Sequence, residues 1–331
     1  MELVIVSSGA VAEGMSRFGW VNRPREIPRL QAAAAVGQVG LMQAYETSFR
    51  RNGLIAAQIL LTHEDFASHE RYLNVQATLR TLMRLRTIPI VNENDTVSTE
   101  EIHFGDNDML GALVANMIAA DRLVILTDQQ GLYASDPRGD PQAELICRAS
   151  AEDDRLLDIA GEAGKLGRGG MLTKVKAAKM FALSGGVTTI ASGRSEGVLA
   201  QIRSGLPVGT ELEPGRHRLL RHKQWLAGHQ ILHGTLVVDA KAARAVEQFG
   251  ESVLPVGVLH VRGDFDRNEM IQITDSEGRP LAKGLSNYSA REMSRLVDQI
   301  SPASHVEFSK KQTKELVHHR NIVLEFYNRR I

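Results

Sequence analysis

The stretch Gly164-Lys-Leu-Gly-Arg-Gly-Gly-Met-Leu-Thr-Lys174 runs directly into a helical pattern. Small residues ahead of a helix N-terminus suit an anion, because backbone N–H groups can approach it and the helix dipole favours it. Lys174 falls near the first helical turn, where its charge opposes that dipole, and a bound phosphate would supply the counter-charge. The spacing is neither a Walker loop nor a dinucleotide-binding fingerprint. A plain flexible loop is the alternative reading of the same glycines.

Four further polar segments sit where short apolar runs end. Asn92-Glu-Asn-Asp95 follows the run ending at Val91, and four polar side chains there can hold an ammonium or a carboxylate. An Asx-type turn would use the same residue types. Gly105-Asp-Asn-Asp108 precedes a helical pattern from Leu110, and two carboxylates with an amide exceed what one N-cap needs. A calcium loop fits poorly, since the remaining EF-hand positions are missing. Thr127-Asp-Gln-Gln-Gly-Leu-Tyr133, then the turn Ser135-Asp-Pro-Arg138, could cradle a nucleotide or be a polar loop. Ser7-Ser-Gly-Ala10 offers Ser8 as a substrate contact or an N-cap, without a nucleophile elbow around it. Metal ligation scores poorly: His63-Glu64 and His69-Glu70 lack the i, i+4 zinc spacing, and His318-His319 reads as a solvated face.

These segments need a scaffold that brings strand ends together. Strand-like runs cover residues 2–6, 54–61, 88–92, 122–127 and 187–191, and helical patterns cover 28–51, 70–86, 110–120 and 171–184. On the helix over 70–86, Leu73, Leu79, Leu82 and Met83 share one face. Such alternation predicts an α/β fold with a parallel sheet covered on both faces. After Pro214 the texture changes. Short runs at 235–239, 257–262, 270–274 and 280–284 alternate with turns and predict a small barrel or sandwich. The expected division is a first domain over 1–212, a linker over 213–224, a small β domain over 225–310 and a tail over 311–331.

Composition is that of a globular chain: 331 residues, 43% hydrophobic, 24% charged and a net charge of zero. Residues 213–331 carry 18 basic and 14 acidic residues, a net +4, against 21 and 25 before them. That mild excess is compatible with nucleic acid and equally with a mixed-charge surface. The single cysteine, Cys147, excludes an intrachain disulfide. Its setting, Glu144-Leu-Ile-Cys-Arg148, reads as a strand and so as a buried thiol. No apolar run reaches the roughly 18 residues of a membrane span. The N-terminus lacks signal-peptide features, so a cytoplasmic location is expected.

In order along residues 2–212, the segments Val6-Ser-Ser-Gly-Ala-Val-Ala-Glu-Gly14, Pro89-Ile-Val-Asn-Glu-Asn-Asp95, Phe104-Gly-Asp-Asn-Asp108, Leu126 to Arg138, and Gly167 to Lys174 resemble the amino-acid kinase family, and within it the glutamate 5-kinases. Residues from about 225 to 310 resemble a PUA domain. The resemblance implies a three-layer αβα fold followed by a small, mostly β PUA-like barrel. It implies ATP, with Mg2+ travelling on it, as phosphoryl donor and L-glutamate as acceptor, the first step of proline biosynthesis. Ser8, Asp95 and Asn107 would hold glutamate. Thr127, Asp128, Arg168, Gly169, Gly170, Met171, Leu172, Thr173 and Lys174 would hold ATP. Lys174 would also stabilise the transferring phosphoryl group, and Asp108 would orient that lysine. Proline as feedback inhibitor, a dimer or tetramer, and RNA at the PUA-like domain are further implications.

The residues lacking from this set agree with that chemistry. A glutamate side-chain carboxylate, pKa near ~4.3, is already ionised at neutral pH and needs no general base. Phosphoryl transfer is mostly positioning and charge neutralisation. The family's first strand and lysine loop are expected ahead of residue 2, making Met1 an internal methionine. A related kinase with another acceptor, an impaired kinase, or an RNA-binding protein that keeps the kinase part as scaffold are the alternatives.

Overall fold

The computed structural model describes residues 1–97, 107–162, 170–215, 232–298 and 315–324. The chain separates into two compact units, Met1–Ala182 with Gly186–Gly215, and Leu183–Gly185 with Arg216–Ile331.

The first unit is α/β. A three-stranded parallel sheet has the order β1 (Ile5–Val6), β3 (Thr87–Glu93), β2 (Ile55–Leu61), with Ile5 opposite Ile90 and Ile59 opposite Val91. β3 is the central strand, and its apolar residues Ile90 and Val91 are fully buried, as expected of a strand covered on both faces. A second sheet has the order β4 (Arg122–Thr127), β6 (Val187–Ser192), β7 (Thr210–Glu213), β5 (Arg148–Ser150). β4 and β6 are parallel, but β7 runs antiparallel to β6, so the expectation of a wholly parallel sheet holds for only part of it.

Helices α1 (Ala10–Arg17) and α2 (Ile27–Arg50) pack through glycine. A Cβ on Gly37 would overlap the Ala10 carbonyl, and one on Gly14 would overlap the Ala33 carbonyl. Glycine there lets two backbones approach as no side chain could. Pro28 lies in the first turn of α2, where its missing N–H costs no hydrogen bond. Between β2 and β3 lie α3 (His63–Ala67) and α4 (His69–Arg84). A capping box opens α3, in which Asp65 accepts from the Thr62 backbone N–H at 2.6 Å. α5 (Asn107–Ile118) is buried from Met109 to Met117 and packs on α7 (Met171–Ala182). α6 (Arg155–Glu162) and α8 (Val198–Arg203) complete the unit.

The second unit is built on a five-stranded sheet in the order β12 (Ile322–Leu324), β11 (Pro280–Leu285), β10 (Met270–Thr274), β8 (Gly234–Val238), β9 (Val258–Gly263). Leu236, Ile271, Ile273 and Ile322 centre its core, with Val246 of α9 (Ala240–Phe249) and Met293 of α10 (Ala290–Asp298). Asp239 caps α9, accepting from the N–H groups of Lys241 and Ala242 at 2.9 and 2.7 Å.

Three expectations are corrected. Cys147 is exposed and precedes β5 instead of lying in a strand, because Leu145 forms only an isolated bridge to Tyr133. Glu213 belongs to β7, paired with Ser150, so it is sheet and not linker; residues 216–224 lie outside the described residues. The expected tail over 311–331 contributes β12 to the sheet and buries Leu316 and Val317, since Val323 pairs with Lys283. Among the described residues no helix is long and apolar enough to cross a membrane.

Candidate active site

Lys174 and Asp108 form the centre of the site. Asp108 lies in the first turn of α5 and Lys174 in the first turn of α7. Their ion pair, Nζ to Oδ2 at 2.8 Å, joins those two helix starts, with the side chains only 11% and 16% exposed. Two N-terminal dipoles therefore meet at one place and favour an anion there. Thr173 sits beside them. Its hydroxyl lies 2.9 Å from the same Asp108 oxygen and 2.7 Å from the Gly170 carbonyl. One hydroxyl proton is shared between those two acceptors. Asp108 thus holds Lys174 with its charge facing where two helix N-termini already attract negative groups.

Asn107, next in the chain, faces the first sheet. Its amide nitrogen donates to Asn92 Oδ1 at 2.9 Å and to the Ser7 backbone carbonyl. Both amide hydrogens are used, which leaves Oδ1 as the group it can offer a ligand. Ser7 and Ser8 follow β1, and the Ser7 N–H donates to the Val91 carbonyl at 2.9 Å, so that loop is an extension of the β1–β3 ladder. Ser8 is exposed, and Gly9 behind it has φ of 103°, a left-handed conformation that suits glycine before the first turn of α1. Asp95 is half-buried in the turn after β3, two residues beyond Glu93. Ser8, Asp95 and Asn107 therefore come from two strand ends and a helix start that hydrogen bonds hold together.

Thr127 ends β4, and its carbonyl accepts from the Gly193 N–H at 2.8 Å. The Thr127 hydroxyl donates to Asp128 at 3.2 Å. The following loop is anchored where the Leu132 N–H donates to Thr210 Oγ1 at 2.8 Å. It closes in the turn at Asp136, whose carboxyl is held below the usual range by its hydrogen bonds from Arg138. α7, carrying Met171, Leu172, Thr173 and Lys174, packs against β4 and β6. Arg168 and Gly169, like Phe104 to Asp106, lie outside the described residues.

A match to the amino acid kinase family covers residues 1–191, and a match to the PUA domain covers residues 234–305. The glutamate 5-kinase of Pseudomonas paraeruginosa is 54% identical over 325 residues, covering 98% of this chain and 87% of the relative. That of Chromohalobacter salexigens is 52% identical over 324 residues, covering 98% and 86%. That of Cupriavidus pinatubonensis is 53% identical over 326 residues, covering 98% and 87%. The chain belongs to the amino acid kinase family, among the glutamate 5-kinases. The α/β architecture of the first unit and the strand-rich second unit agree with that membership.

Two residues beside the candidate site, Gln38 and Tyr45, carry no sequence-based role, and Asn92 carries only that of one of four polar groups able to hold a ligand. Gln38 and Tyr45 project from α2, and Asn92 is the penultimate residue of β3, followed by the buried Glu93. Gln38 Oε1 accepts from Asn92 Nδ2 at 2.9 Å, and Tyr45 lies 3.0 Å from the Ser7 hydroxyl. The signal for Gln38 was present: it is a lone polar residue among the small buried residues Ala33, Ala34, Gly37 and Gly40. Glu93, ending β3, and His63, opening α3, are two further buried polar residues. Burial pushes the His63 pKa down, against the opposing fields of Glu93 and Glu64. Among the described residues one group of potential metal ligands converges, Glu315 with His318 and His319 in the second unit. Glu315 pairs with His318 at 3.5 Å; both are half-buried, and His319 is exposed.

Proposed function

We propose that this chain transfers the γ-phosphoryl group of ATP to the side-chain carboxylate of L-glutamate, giving glutamyl 5-phosphate and ADP, the first step of proline biosynthesis. The single observation that carries the mechanism is the Lys174–Asp108 pair at two converging helix N-termini. A glutamate carboxylate oxygen attacks the γ-phosphorus, the bond to the β–γ bridging oxygen breaks, and ADP leaves with that electron pair. No proton has to move, because the carboxylate is already ionised. Lys174 and the helix N-termini neutralise charge on the transferring group. Asp108 and Thr173 orient the lysine.

Ser8, Asp95 and Asn107 hold glutamate, and Thr127, Asp128 and the segment Arg168 to Lys174 hold ATP. Asp108 is committed to Lys174 and Thr173, a donor set that suits a metal carried by the nucleotide better than one held by the protein. Mg2+ arriving on ATP would screen the phosphate charge. The proposal extends to L-proline as feedback inhibitor, to self-association, and to RNA at the PUA domain. Proline titration, light scattering and salt-dependent RNA retention test those three.

The deciding experiment is hydroxylamine trapping of the acyl phosphate with Mg-ATP. Hydroxamate from L-glutamate, with none from aspartate or N-acetylglutamate, is the expected result. Product from aspartate in place of glutamate would overturn the choice of acceptor.

A further inference from the structure

A chain of three side-chain amides crosses the floor of the site. Asn107 donates to Asn92, and Asn92 donates to Gln38. Two backbone groups fix the direction of this relay. The Ser7 carbonyl can only accept, so Asn107 must turn its nitrogen toward it. The Glu93 N–H can only donate, at 2.9 Å, so Asn92 must turn its oxygen toward it. The nitrogen of Asn92 is then left pointing at α2, where Gln38 supplies the terminal acceptor. Asn92 is 2% exposed and Gln38 8%, so water cannot readily substitute.

Gln38 bears a cost for this role. With its oxygen committed to Asn92, its buried Nε2 has no hydrogen-bond partner among the described residues. A buried amide donor left unpaired is unfavourable, and an apolar residue of similar size would remove it. Packing alone gives no reason for glutamine on a helix face otherwise lined by alanine and glycine.

We propose that Gln38 is a positioning residue for glutamate binding, acting through Asn92 to hold Asn107 with Oδ1 free for the substrate's ammonium group. This rests on the reading that Asn107 contacts the substrate. Tyr45, seven residues along the same helix, holds Ser7 and so steadies the other acceptor of Asn107. Helix α2 thereby supports both anchor points of one substrate-facing amide without touching substrate itself.

The test is calorimetric titration of the full chain with L-glutamate and, separately, with ATP. Gln38→Met keeps the side-chain volume and removes the acceptor. Its expected effect is a rise of about tenfold in the glutamate dissociation constant, with ATP affinity within about twofold and a melting temperature little changed, because the unpaired Gln38 N–H is removed while an Asn92 N–H loses its acceptor. Gln38→Glu keeps an acceptor oxygen for Asn92 and, with burial favouring its neutral form, is expected to recover most of the loss at pH 6 and less of it at pH 8. Equal glutamate affinity in wild type and Gln38→Met would overturn the inference. So would a parallel loss of glutamate binding, ATP binding and thermal stability, which would assign Gln38 to packing. Failure of the wild-type chain to bind glutamate at all would instead strike the proposed function, and this inference with it.

Discussion

Lys174 and Asp108, 66 residues apart in the chain, meet at 2.8 Å and join the first turns of α5 and α7. Lysine opposes the dipole of the helix that carries it, so this placement is unfavourable without compensation. Asp108 supplies that compensation in the free protein, and under the proposed mechanism a phosphoryl group would supply more in the transition state. Lys174→Ala is therefore expected to lower turnover by roughly 100–1,000-fold, the scale of one preorganised donor. Lys174→Arg should not rescue it, since a planar guanidinium cannot replace a compact ammonium at this site. Steady-state rates with Mg-ATP and L-glutamate check both, and a Lys174→Ala enzyme within tenfold of wild type would remove the lysine from the mechanism.

Much of this arrangement is legible in the sequence because it follows from local rules. The strand Arg122–Thr127 and the helix start at Met171 were set by apolar periodicity and by the glycines before them. The polar loops at strand ends followed from parallel-sheet geometry. What was not legible is long-range pairing. Gln38 and Asn92 are 54 residues apart, and nothing in the period of α2 says which polar group waits opposite its buried face. β12 was missed because three residues after an uninformative stretch carry too little pattern, although Ile322 and Val323 complete the sheet. Cys147 was misplaced because an apolar run beside a strand resembles one until the ladder partners are known.

Thr188 gives a prediction about stability. It is fully buried on β6, and its hydroxyl has no hydrogen-bond partner among the described residues. Thr188→Val replaces that hydroxyl with a methyl group of similar size. The variant is expected to be more stable by about 1 kcal/mol, because the desolvation cost of an unpaired hydroxyl disappears. Urea unfolding reads this as a higher midpoint at unchanged slope. A lower midpoint would mean that the hydroxyl has a partner, such as a buried water.

His63 sets a pH dependence. Its pKa in the folded protein is depressed from the ordinary 6.5, chiefly by burial. The unfolded chain therefore takes up a proton as pH falls through about 6.5 while the folded chain resists it. Stability is lost as pH falls through that value and continues to fall until the lower folded pKa is passed. Comparing unfolding midpoints at pH 7.5 and pH 5.5 should show a shallower dependence in His63→Gln, which cannot titrate there. Identical dependence in the two proteins would exclude His63 as a contributor.

Gly37 links packing to the Ser7–Ser8 loop. A Cβ at this position would collide with backbone atoms of Ala10 and Gly14, which cannot swing aside as a flexible side chain could. Gly37→Ala must separate α1 from α2. Because α1 begins immediately after Gly9, the Ser7–Ser8 loop moves with it. Overpacking of this kind costs about 1–3 kcal/mol, and rigid backbone contacts belong at the upper end. The variant is expected to lower the urea midpoint and to weaken glutamate more than ATP, since Thr127 and α7 lie on the other sheet of the same unit. Equal weakening of both ligands would show that the α1–α2 contact supports the whole unit and not the Ser7–Ser8 loop in particular.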